Sequence, residues 1–291
     1  VSTVLDSHWV VVPQVAAMRE TVYGVRTHYT HAGRGEPVVL VHGGGPGSSG
    51  LSGWANMIPE LARRYEVFAI DLIGAGFTDK PRVEYSFQTQ VNHVAGFIDT
   101  LNLGSVRMVG NSQGAYVAIK YVLDHPGRVK SAALISTGTL AKAMGLSDDG
   151  KAAPLPRFDG TRESLESFMS LIVNDPSKLT KELIDSRFEA ASTPGHREMM
   201  ESLDTYRKVM QSDPNQRQVY DVKARLPMLT LPWCMIWGAA DRTAPLDPLG
   251  HRMHALFPNI PFHVVEGSGH QVQNDKPEEC NRLVMSFFEA N

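Results

Sequence analysis

Short apolar runs alternate with stretches of helical spacing along most of the chain. Residues 22–31 alternate apolar and polar positions, as expected for an antiparallel edge strand. A glycine-rich turn at 33–35 then leads into Pro37-Val-Val-Leu-Val41, whose β-branched content predicts a fully buried strand. Comparable apolar runs at 66–71, 106–109, 130–136, 233–237 and 262–265 predict further strands. Between them, apolar residues recur at helical spacing over 54–65, 88–101, 113–123 and 277–290. Strands and helices in this rhythm predict the α/β class, with a mainly parallel, doubly wound sheet.

The rhythm stops between residues 140 and 225. Helical patterns at 162–173, 179–191 and 197–210 follow one another there, broken by Pro154, Pro156, Pro176, Pro194 and Pro214. The expected organisation is therefore a core of residues 1–139 and 226–291 carrying a helical lid, or cap, of residues 140–225. No internal repeat or low-complexity tract interrupts this plan.

Composition narrows the function. A chain of 291 residues suffices for one large domain with an insertion. Its net charge of −3 and the lack of any Lys/Arg run argue against nucleic acid and anionic membrane as partners. No apolar run approaches a membrane span, and no charged segment followed by an apolar one opens the sequence, so a cytoplasmic protein is expected. Cys234 and Cys280 each lie in an apolar run, which predicts two buried thiols in a reducing compartment rather than a disulfide.

The candidate chemistry centres on Gly110-Asn111-Ser112-Gln113-Gly114, between a predicted strand and a predicted helix. A strand folding sharply into a helix strains its central residue and leaves no room for a Cβ on either flank, so G-x-S-x-G here presents the Ser112 hydroxyl above the sheet. The loop His42-Gly-Gly-Gly-Pro-Gly47 follows an earlier strand. It lacks the lysine and Ser/Thr of a phosphate-binding loop, and its bare amides suit an oxyanion hole instead, with one N–H from this loop and one from Gln113. A serine hydroxyl needs a base, and the base needs a third group to set its tautomer. Asp241 and His270 each follow a late strand, and the carboxyl ends of parallel strands open on one edge, where they can meet Ser112. The order Ser, Asp, His is the one used by the α/β-hydrolase fold. Asp71, also at a strand end, reads as a turn-capping carboxylate. No cluster has metal-ligand spacing, so neither a metal nor a cofactor is expected.

His42-Gly-Gly-Gly-Pro-Gly47, Gly110-Asn-Ser112, the stretch 179–190 around Arg187, Trp237-Gly-Ala-Ala-Asp241-Arg-Thr-Ala-Pro245 and the stretch 281–288 together resemble the meta-cleavage-product hydrolases. These are C–C bond hydrolases of bacterial aromatic and steroid catabolism, and the similarity covers nearly the whole chain. It implies a small-molecule substrate, a vinylogous 1,5-diketone of the 2-hydroxy-6-oxo-dienoate type, that ketonises before water cleaves its C5–C6 bond. It also implies that Arg187 binds the dienoate head, that Gly44 with Gln113 holds the oxyanion, that Gly45, Asn56, Asn111 and Gln271 line the pocket, and that the protein is a homo-oligomer, dimer or higher. The sequence departs from the family in three places. Gln271 stands where tryptophan usually follows the histidine, Gln113 where methionine or leucine follows the nucleophile, and Ala115 where glycine is usual. These leave open a carboxylesterase or lactonase with the same triad, a ligand receptor of this fold, and a cofactor-free dioxygenase.

Overall fold

The computed structural model describes residues 5–17 and 19–291. Its sheet comprises β1 (Asp6–Ala16), β2 (Thr21–Gly33), β3 (Glu36–Val41), β4 (Tyr65–Ile70), β5 (Val106–Asn111), β6 (Val129–Ile135), β7 (Trp233–Gly238) and β8 (Phe262–Val265). Their spatial order is β1-β2-β4-β3-β5-β6-β7-β8. From β4 to β8 all neighbours are parallel, while β1 and β2 join antiparallel.

The central strands are buried on both faces, which explains their unbroken apolar runs. Side chains still alternate along them: Val39 and Val41 enter one apolar layer, Val38 and Leu40 the other. The first layer is closed by the helices Phe87–Thr100 and Gln113–Asp124, the second by short helices after β3 and by the closing helix Pro277–Glu289. Cys234 and Cys280 are free, buried thiols of the second layer, and burial pushes Cys234 up to about 12.

Two expectations need correction. The strand over 22–31 is not an edge, because β1 pairs along its outer side from Asp6↔His31 to Ala16↔Thr21. Pro13 makes this stretch look unlike a strand, yet at the sheet's rim a missing N–H costs no ladder bond. The helix expected over 54–65 is two short helices, Gly50–Trp54 and Ile58–Leu61, with β4 already starting at Tyr65. The first is started by a reciprocal Ser49/Ser52 cap, and the second carries Pro59 in its first turn, where proline is tolerated but cannot continue an incoming helix.

Within 140–225 lie the helices Arg162–Ile172, Lys181–Ala191, His196–Ser212 and Pro214–Tyr220. Thr161, Thr180 and Asp213 cap three of them with side-chain oxygens. Met199, Leu203, Tyr206 and Met210 line one face of His196–Ser212 and join the main core, so this helix is seated on the sheet domain.

His93 ties the core to pH. It is fully buried; Nδ1 accepts the Ile73 N–H at 3.0 Å, and Nε2 therefore donates to Thr27 Oγ1 at 2.8 Å. A second ring proton would point at the Ile73 N–H, and burial pushes the imidazole down to about 3. The unfolded chain takes up that proton near pH 6.5 and the folded one does not until about 3, so stability is full above 6.5 and falls with acidification. Between pH 6.5 and about 4.5 this site alone is expected to cost about 2 kcal/mol. Urea midpoints of wild type and His93→Asn at the two pH values test it; equal losses in both proteins would remove His93 from the account.

Candidate active site

The turn between β5 and the helix Gln113–Asp124 has the geometry its glycines suggest. Ser112 adopts φ 55 and ψ −117, outside the ordinary regions for a residue with a side chain. A Cβ on Gly110 would lie 2.5 Å from the Gly114 carbonyl, and one on Gly114 only 2.1 Å from the Val41 carbonyl. As the first residue of the helix, Gln113 has an N–H with no intrahelical acceptor.

Asp241 and His270 face each other across the loops after β7 and β8. The His270 ring donates from Nδ1 to Asp241 Oδ2 at 2.7 Å. The other carboxylate oxygen accepts from Thr243 N (2.8 Å), Thr243 Oγ1 (3.1 Å) and Ala244 N (2.8 Å). Those donors satisfy the oxygen that His270 leaves free on a side chain buried completely. A Cβ on Gly238 would lie 2.1 Å from the Gly269 carbonyl, so only glycine at the end of β7 lets the histidine loop cross this close. Asn111 completes the link: its amide donates to the His270 carbonyl at 3.1 Å and to the Ile135 carbonyl at 3.2 Å. The residue before Ser112 is thus bonded directly to the backbone of His270.

The glycine loop after β3 is held from behind and in front. Behind it, buried His42 donates from Nδ1 to the Gly43 carbonyl at 2.7 Å and accepts the Leu72 N–H at Nε2 (3.1 Å), a neutral ring with its protonation favoured downward by burial. In front, Gly43 lies against Asn111 and Ser112, and Gly44 against the Gln113 side chain. Gly47, at φ 63, comes so close to the Arg187 backbone that a Cβ would meet its carbonyl at 1.8 Å.

Arg187, on the helix Lys181–Ala191, is 1% exposed. Its Nε and Nη2 donate to the Pro46 carbonyl (3.1 and 2.9 Å), Nη2 also reaches Ser48 Oγ (2.9 Å), and the guanidinium lies 5.8 Å over Phe168. Among the described residues no carboxylate pairs with it, and burial alone brings it down to about 10. His196, pushed down to about 4 mainly by burial, accepts the Gly47 N–H at 3.4 Å and joins a second helix of the segment to the same loop.

The remaining expected pocket residues Asn56 and Gln271 belong to a chain of amides next to His270. Asn56 donates to Asn274 at 3.5 Å, and Asn274 donates to Gln271 at 2.8 Å. Gln271 and Asn274 are buried, and the Gln271 N–H is held by the Ile172 carbonyl of the 140–225 segment. Gly45, at φ 110, faces Phe168 and the Arg187 guanidinium. Sequence reasoning missed Arg207, which donates to Gln113 Oε1 at 2.7 Å, together with Gln90, Asn274 and His196. The one signal for Arg207 was a cation set between the apolar positions Leu203 and Met210.

Asp71 does cap its turn, accepting from Gly50 N (2.6 Å) and Phe77 N (2.8 Å). It also accepts from His28 Nδ1 (2.8 Å), whose Nε2 meets Ser7 Oγ at 2.6 Å. This Ser–His–Asp grouping differs from Ser112, His270 and Asp241 in the backbone that carries its serine. Ser7 sits in the β1/β2 ladder opposite Thr30, with no sharp turn and no helix N-terminus to supply oxyanion donors.

Residues 36–277 match the alpha/beta hydrolase fold family, and the chain belongs to it. It is 33% identical over 281 residues to a 2-hydroxy-6-oxononadienedioate/2-hydroxy-6-oxononatrienedioate hydrolase of Pseudomonas putida, covering 94% of this chain and 95% of that one. It is 29% identical over 266 residues to a 2-hydroxy-6-oxo-6-(2'-aminophenyl)hexa-2,4-dienoic acid hydrolase of Metapseudomonas resinovorans, with 91% and 88% covered. Among solved structures, a meta-cleavage product hydrolase from Pseudomonas fluorescens superposes with a TM-score of 0.73 at 29% identity, over 96% of this chain and 98% of that one. Within the fold family, the chain is one of the meta-cleavage product hydrolases. Among the described residues, no helix is long and apolar enough to cross a membrane.

Proposed function

We propose that this protein hydrolyses a C–C bond in a 2-hydroxy-6-oxo-dienoate formed by ring cleavage of an aromatic compound, with Ser112, His270 and Asp241 as catalytic residues. The observation that carries the reading is Arg187: a guanidinium buried at 1% exposure, with no carboxylate paired to it among the described residues, against the loop that would hold the scissile carbonyl. A buried cation left unpaired is costly, and a planar carboxylate supplied by the substrate removes that cost.

The residues then divide the work. Arg187 binds the dienoate carboxylate, and the N–H groups of Gly44 and Gln113 hold the oxygen on C6. His270 takes the 2-hydroxyl proton and returns it at C5, giving the keto tautomer and ending conjugation with C6. Water then adds at C6 with Ser112 and His270 managing its proton, and the C5–C6 electron pair moves into the C2 carbonyl. The products are a carboxylic acid and 2-hydroxypenta-2,4-dienoate, so the balance consumes only water. Asn111 fixes the distance between the serine turn and the histidine loop, and the chain Asn56, Asn274 and Gln271 forms a polar wall by the base. Residues 140–225 act as the lid that supplies Arg187. Exposed Trp9, Val11 and Tyr23 on the outer strands support a homo-oligomer.

Addition of the enzyme to a yellow dienoate should bleach its absorbance. Arg187→Gln should lower kcat/KM by about 100- to 1000-fold, the worth of two charge-assisted hydrogen bonds, and Arg187→Lys should recover part of it. Rapid cleavage of aryl esters with the dienoates left unbleached would refute C–C hydrolysis and establish the esterase reading in its place.

A further inference from the structure

Beside the serine turn a hydrogen-bonded relay runs from the 140–225 segment into the core, and none of its side chains has a part in the reaction above. Arg207, on the helix His196–Ser212, donates from Nη2 to Gln113 Oε1 at 2.7 Å, and Gln113 Nε2 donates to Gln90 Oε1 at 2.8 Å. Asp204 accepts from Arg207 Nη1 at 3.2 Å and steadies the outer end. Both glutamines are buried, at 4% and 3% exposure, and Gln90 belongs to the helix Phe87–Thr100. The Gln113 side chain is therefore gripped at both ends, from two different helices.

The grip falls on the residues whose N–H groups hold the oxygen on C6. A Cβ on Gly44 would lie 2.9 Å from Arg207 Nη2 and 2.9 Å from Gln113 Oε1, so the bond between these two side chains lies against that glycine. One hydrogen bond thus adjoins Gly44 and belongs to Gln113. Regular structure fixes neither amide: the Gln113 N–H opens a helix directly after Ser112 at φ 55, and Gly44 lies in a loop between a strand and a helix. Among the described residues Gln113 Oε1 has no donor besides Arg207. Loss of that donor leaves a buried carbonyl oxygen unpaired, and the side chain turns to find another partner. Oxyanion donors work only when aimed at the oxygen, and a misplacement of about 1 Å can cost about 100-fold in rate. Arg207 itself has a firm base, because Met199, Leu203, Tyr206 and Met210 of its helix are seated in the core.

We infer that Arg207 is a positioning residue: through Gln113 it fixes the two backbone amides of the oxyanion hole, so that a helix of the 140–225 segment completes a site built by the sheet domain. The inference rests on Gly44 and Gln113 being the oxyanion donors of the proposed hydrolysis.

Arg207→Gln should lower kcat by about 10- to 100-fold, part of what an oxyanion donor is worth. KM should stay within about threefold, because the contact is needed in the transition state rather than for binding. Arg207→Lys, which keeps a charged donor, should restore part of the rate. In a Gln113→Met background Arg207→Gln should change kcat by no more than about twofold, whatever Gln113→Met costs by itself, since the side chain through which it acts is gone. The inhibitor 2,2,2-trifluoroacetophenone tests the hole directly. Ser112 Oγ adds to its carbonyl carbon, His270 takes the hydroxyl proton, and the carbonyl oxygen becomes an anion facing the two amides. Its inhibition constant should rise about as much as kcat falls. A smaller folded fraction would lower kcat and leave that constant where it was.

Equal losses in the two backgrounds, a loss confined to KM, or a ketone that treats wild type and Arg207→Gln alike each overturn the inference while leaving C–C hydrolysis intact. Aryl esters use the same hole, so the series is run on them as well. A wild type that cleaves esters and leaves dienoates yellow overturns the C–C reading, and the ester rates then decide the role of Arg207. A wild type inert to both overturns the two together.

Discussion

Ser112→Ala is expected to slow dienoate cleavage by at least about 10⁴-fold while leaving the fold and dienoate binding in place. Alanine keeps the Cβ and the strained backbone at φ 55, and the close glycine contacts on both sides are untouched. Binding persists because Arg187 and the two amides do not depend on the hydroxyl. What disappears is the group through which His270 acts on water or the carbonyl. Rates of bleaching, together with a dissociation constant from titration of the variant, distinguish the two effects. Turnover at the wild-type rate would show that the serine has no chemical role.

Asp241→Asn should cost about 10³- to 10⁴-fold in kcat through the protonation state of its partner. One carboxylate oxygen accepts from Thr243 N, Thr243 Oγ1 and Ala244 N, and the other accepts from His270 Nδ1. An asparagine must place its oxygen toward that group of donors, which turns its NH2 toward His270. The ring then accepts at Nδ1 and carries its proton on Nε2, so it can no longer take a proton from substrate or serine. The turn itself survives because its bonds to the other oxygen are kept. The check is the rate of the folded variant, with its melting temperature measured alongside. A loss below about tenfold would mean that the Asp241–His270 bond does not set the base.

The three residues proposed as catalytic were legible as candidates because local chemistry marks each of them. Ser112 sits between glycines at a change of period from strand to helix, and Asp241 and His270 each follow an apolar run in a loop of small residues. Strand β1 was hidden for an equally local reason: Pro13 contradicts a strand everywhere except at a sheet edge, and edge position is a tertiary property. The helix expected over 54–65 failed because apolar spacing survives a break, whereas the capping of two short helices depends on how Ser49 and Pro59 meet their neighbours. Arg187 stood out only through family resemblance, since a helical arginine normally lies in solvent. Arg207 showed only as a cation between apolar positions: its partner Gln113 lies 94 positions away, and nothing near either residue signals the other.

The sequence by itself determined the class of fold, the sharp turn at Ser112 and the small-residue loops that carry Asp241 and His270, because periodicity, glycine sterics and turn preferences act over a few residues. Tertiary structure alone decided that Asn111 clasps the histidine loop, that Arg187 is buried with no carboxylate paired to it among the described residues, and that Arg207 lies against Gly44. Such contacts follow from where separate loops cross. Apolar spacing records that a side chain is buried, but not against what.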